Sequence, residues 1–81
     1  MEKIIECIKV YLDARFDWEQ RNAPKITEAE EEKFINSYKI YADGETERFA
    51  LEMLQAEICD YYGLEKEKEN DRLYCIYVNN N

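Results

Sequence analysis

Three residues punctuate this chain: Pro24, Gly44 and Gly63 are its only proline and its two glycines. Proline disfavours helix at the residue before it, and glycine enters the left-handed conformation that closes helices. Everything between these points is free of strong breakers, so the sequence predicts long regular elements joined by short connections. The first segment, EKIIECIKVYLDARFDWEQRN, places Ile5, Ile8, Leu12 and Phe16 on a helical stripe, with Cys7, Tyr11, Ala14 and Trp18 beside it. Its β-branched run Ile4, Ile5, Ile8, Val10 makes residues 3–12 legible as a strand as well. The helical period is preferred because it continues unbroken through LDARFDWEQ.

The second segment opens at Thr27, with Glu30 three residues on, which is the spacing of a capping box. Glu28, Glu30, Glu31 and Glu32 fall in the first turns, where a helix dipole favours anions. Phe34, Ile35, Tyr38 and Tyr41 form its apolar stripe, and Asp43-Gly44 ends it. In the third segment Ala50, Leu54, Ile58 and Tyr61 make one row, Phe49, Met53 and Ala56 the next, and Gly63 closes the helix. The terminal stretch reads differently. In LYCIYV, Leu73, Cys75 and Tyr77 alternate with Tyr74, Ile76 and Val78, the period of a strand. The nearest partner is GLEKEK, turning at Asn70-Asp71. The fold expected from sequence is therefore α+β and mainly α: one domain, residues 1–81, of three helices followed by a short C-terminal β-hairpin. Such a strand would show apolar residues on both faces, and an uncovered edge strand invites pairing. Tyr74, Ile76 and Val78 are accordingly the expected self-association face of a homodimer.

The chain contains no histidine. That removes Ser-His and Cys-His nucleophile pairs, imidazole metal ligands and the histidine pH switch. With only two glycines there is no phosphate-cradling loop. Cys7, Cys59 and Cys75 are far apart, with no C-x-x-C, and read as buried free thiols of a reducing compartment rather than as zinc ligands. The N-terminal apolar stretch carries acids, so it does not read as a signal peptide, and no apolar run reaches the length of a membrane helix. No enzyme, no metal and no cofactor is expected.

Net charge is −8. Residues 1–16 sum to zero, residues 17–47 to −5 and residues 48–81 to −3. A chain this acidic is repelled by nucleic acid and by anionic membranes. The same acidity suits a surface that competes for a groove built to hold a phosphate backbone, because carboxylates three or four apart on a helix stand about 5–6 Å from one another. Asp17, Glu19, Glu28, Glu31, Glu32, Asp43, Glu45 and Glu47 are the residues expected to form that face. In size, charge and lack of catalytic residues the chain resembles the small acidic inhibitors carried by phages and mobile elements, anti-CRISPR proteins among them. No motif carries the resemblance. It implies a protein partner, a basic nucleic-acid-binding protein, met in the cytoplasm of a bacterial host. A homodimeric structural or adaptor protein and a small-ligand sponge are the competing readings.

Overall fold

The computed structural model describes residues 2–66 and 71–79. They form four helices, α1 (Glu2–Trp18), α2 (Glu28–Ala42), α3 (Glu47–Tyr62) and α4 (Arg72–Asn79), and no strand. Neighbours pack in a ring: α2 against α3, α3 against α4, α4 against α1, and α1 against α2. α1 and α3 face each other across the core without close backbone approach, as do α2 and α4. One cluster fills the centre, with Ile8, Tyr11, Leu12, Phe34, Leu51, Leu54, Ile58 and Leu73 fully buried.

Helix ends fall where the local chemistry puts them. The Thr27 hydroxyl accepts from the Glu30 N–H, and the Glu30 carboxylate accepts from the Thr27 N–H at 3.0 Å, completing the capping box. Thr46 caps α3 by accepting from the Phe49 N–H at 3.2 Å, a cap the sequence analysis passed over. Gly63, at φ +70°, closes α3, and Gly44, at φ +80°, turns the chain beyond α2.

The terminal hairpin is corrected. Residues 72–79 are helix, so the described residues are all-α, with four helices rather than three followed by a β-hairpin. Glu67 and Lys68 of the proposed partner arm and Asn70 of the turn lie outside the described residues, while residues 63–66 of the arm are described and form no strand. The physical reason is that a run of six apolar residues fits both periods, since Leu73, Ile76 and Tyr77 are also i, i+3 and i+4. A helix then wins on backbone hydrogen bonds. A lone two-stranded ribbon is marginal in water, whereas a helix satisfies its own ladder and needs help only at its ends. That help arrives from α3. The Gln55 side chain, 5% exposed, accepts a hydrogen bond from the Leu73 N–H at 2.8 Å. The Cys75 N–H bonds the Asp71 carbonyl, and the Arg48 guanidinium pairs with the Asp71 carboxylate.

Burial also corrects the cysteines. Cys7 and Cys59 are buried, and the Cys59 sulfur lies 3.2 Å from the Tyr11 hydroxyl across the core. Cys75 is exposed on α4, and all three are free. Under native conditions one thiol should therefore label rapidly and two slowly, because apolar burial suppresses the thiolate. Peptide mapping of a timed alkylation reads this out, and rapid labelling at Cys7 or Cys59 contradicts the packing described.

Candidate protein-binding surface

α1 and α3 end where α2 begins. Phe16 of α1 stands 6.4 Å from the Tyr62 ring of α3, edge to face, and Tyr62 stands 6.1 Å from Phe34 of α2. The Tyr61 hydroxyl donates to the Glu30 carboxylate at 2.8 Å. Burial pushes the Tyr62 hydroxyl up to about 12. The bond from the Thr27 backbone, and then that from Tyr61, hold Glu30 below the usual carboxylate range. Glu30 is thus committed to its helix cap.

The other three glutamates of this turn are not. Glu28, Glu31 and Glu32 stand at i, i+3 and i+4, on one face of α2. Glu28 and Glu32 are exposed and Glu31 is half-buried. Among the described residues no ion pair or side-chain hydrogen bond engages them. Like charges at this spacing oppose one another, and the dipole of α2 offsets part of that cost.

The eight acids expected on one face separate into two groups. Asp17 and Glu19, at the end of α1, share an end of the bundle with Glu28, Glu31 and Glu32. Asp43, Glu45 and Glu47 lie around the α2–α3 turn, at the opposite end; Glu28 and Asp43 are separated by the length of α2, about 22 Å at 1.5 Å per residue. Two of the eight are occupied internally. Glu19 pairs with Arg15 at 3.5 Å and with Arg21. Glu47 accepts from the Tyr77 hydroxyl, which raises that tyrosine above its ordinary value.

The expected self-association residues no longer share a strand face. Tyr74 and Ile76 pack partly against the core, while Val78 is 43% exposed. The edge-strand argument for a homodimer falls with the strand itself.

Sequence reasoning also misplaced aromatic and apolar residues. Trp18, placed by the periodicity beside the buried stripe of α1, is 67% exposed at the end of that helix. The Arg15 guanidinium lies 4.8 Å from its ring centroid and that of Arg72 lies 5.8 Å away. An open groove of about 540 Å³ beside it is lined by Arg15, Trp18, Glu19, Gly63 and Glu65. Phe49 and Met53 are exposed on α3, while Leu51 and Gln55 are buried. A helical wheel centred on Leu54 would have found that exchange.

Among the described residues no group of three potential ligands could hold a metal ion. None of their helices is long and apolar enough to cross a membrane. No family model matches the chain, and no curated protein and no solved structure matches it.

Proposed function

We propose that the protein is a non-enzymatic binding module whose acidic end docks on a basic surface of another protein, such as the groove of a nucleic-acid-binding protein in a bacterial cytoplasm. The observation that carries this reading is the triplet Glu28, Glu31, Glu32, three like charges on one helix face with no partner among the described residues. Asp17 at the same end extends the field. Rim carboxylates of this kind act mainly by steering encounter, so their effect falls on the association rate and is screened by salt. Asp43 and Glu45, at the far end of α2, stand apart from this surface.

The test is charge reversal. The triple variant Glu28→Lys, Glu31→Lys, Glu32→Lys keeps Thr27 and Glu30, and with them the capping box. It should lose about 1–2 kcal/mol of stability through the dipole and remain helical by circular dichroism. Wild-type protein immobilised on beads should capture basic nucleic-acid-binding proteins from a bacterial lysate, and double-stranded DNA or raised salt should release them. The triple variant should capture none. Capture by the variant at wild-type level returns the triplet to a helix-capping role. A chain that captures only copies of itself is the homodimeric adaptor instead.

A further inference from the structure

Two buried thiols lie apart from the acidic surface, and one short helix covers both. Lys3, Cys7, Tyr11 and Trp18 follow one another at helical spacing and make a single row along α1. α4 lies antiparallel along that row. The Lys3 ammonium sits 4.0 Å from the Tyr77 ring centroid at one end, and the Arg72 guanidinium sits 5.8 Å from that of Trp18 at the other. Cys7 and Tyr11, between these two ends, are 0% exposed. The Tyr11 hydroxyl reaches to 3.2 Å from the Cys59 sulfur. Cys59 in turn stands one turn along α3 from Gln55, whose side chain holds the Leu73 N–H of α4. A seam of two thiols and a phenol therefore runs beneath α4, where α1 and α3 make no close backbone approach of their own.

The cover is lightly held. α4 has eight residues, too few to persist alone, and its one fully buried side chain is Leu73. The pair between Arg48 and Asp71 is exposed to solvent, where an ion pair contributes little. An element with few buried contacts opens locally, at a lower free energy than the whole domain. Opening α4 leaves the packing of α1 on α2 and of α2 on α3 in place.

We infer that α4 is a gate over these thiols: its opening, without unfolding of the domain, admits a disulfide to Cys7 and Cys59, and the mixed disulfides formed there hold α4 open. The chemistry is thiol–disulfide exchange. Each thiol loses its proton to solvent, and the thiolate sulfur attacks one sulfur of the incoming disulfide. A new S–S bond forms, the old one breaks, and the other half leaves as a thiolate. A close-packed seam has no room for the added group, so α4 cannot reseat until a reducing thiol removes it. The gate stands independently of the binding reading above.

The probe is dithiodipyridine, a neutral disulfide whose released thiopyridine is followed by absorbance. It is added to the full chain carrying Cys75→Ser, which removes the exposed thiol. Both Cys7 and Cys59 should react in native buffer, at a rate that rises with urea far less steeply than global unfolding does. Gln55→Leu, which removes the acceptor at the start of α4, should speed both reactions about five- to hundredfold. Phe34→Leu, on α2, which does not approach α4, should lower the urea midpoint and leave the labelling rate as it was. In the modified chain, amide resonances of residues 72–79 should leave their native positions while those of α2 and α3 stay, and dithiothreitol should restore them. Labelling that follows the full urea slope of unfolding overturns the gate, and so does equal acceleration by Gln55→Leu and Phe34→Leu. A modified chain with α4 still docked, or with α2 and α3 lost as well, also overturns it. If either variant fails to fold, the urea slope and the resonances of the Cys75→Ser chain decide alone.

Discussion

Truncating Leu73 to alanine should cost about 2–5 kcal/mol, a large share of the roughly 4–12 kcal/mol that a domain of this length commands. Leu73 is 0% exposed and is the one fully buried side chain of α4. An isolated helix of eight residues does not persist in water, so α4 is helical because it is seated, and Leu73 is what seats it. Urea denaturation should show a lower midpoint with little change in slope. Leu73→Lys should fail to fold, since its ammonium would be buried without a counter-ion. Ile76→Lys should be milder, because Ile76 is only half-buried and its lysine can reach solvent along the helix surface. A cost below about 1 kcal/mol for Leu73→Ala would mean that α4 is not packed as described.

Replacing Gln55 with leucine should cost about 1–3 kcal/mol, although it places a larger apolar group in a buried site. The Gln55 amide oxygen is the acceptor for the Leu73 N–H, one of the donors that no helix can satisfy from within. Leucine fills the space and leaves that donor buried and unpaired. The signature is local: hydrogen exchange at Leu73 should accelerate more than at the centres of α1 and α3, since the first turn of α4 opens before the domain does. Gln55→Met, similar in shape and lacking the acceptor, should behave like leucine. If both variants melt with the wild type, the bond contributes nothing net and α4 is held by Leu73 alone.

Much of the fold was legible where a residue's meaning is local. Thr27 with Glu30 encodes a cap, Gly44 and Gly63 encode turns, and Ile5, Ile8, Leu12 and Phe16 encode a buried stripe; all of these hold in the structure. The strand at 73–78 was misread because its pattern is ambiguous and its arbiter is distant. What makes it a helix is an acceptor eighteen residues upstream, and periodicity cannot see a hydrogen bond between segments. Trp18 was misread for a related reason. It continues the apolar side of α1, but α1 runs past the core there, so the ring emerges beside the last turn of α3. The acidic surface was half legible. The spacing of Glu28, Glu31 and Glu32 puts them on one face from sequence alone, whereas the separation of Asp43, Glu45 and Glu47 from Asp17 depends on which ends of the helices meet.

The pairing of α1 with α4 sets the order in which the chain can complete itself. α2 and α3 are joined by a four-residue turn and can find each other while the chain is still being made. α1 leaves the ribosome before α2, α3 and α4, yet one flank of it waits for a helix that begins at residue 72. Closing so long a loop adds an entropic cost that short-range contacts do not carry, and no part of α4 is stable enough to form in advance and shorten the search. A nascent chain stalled before residue 72 would therefore hold a paired α2–α3 and an α1 with one apolar flank uncovered. That surface is open to chaperones and to neighbouring nascent chains until the last helix arrives.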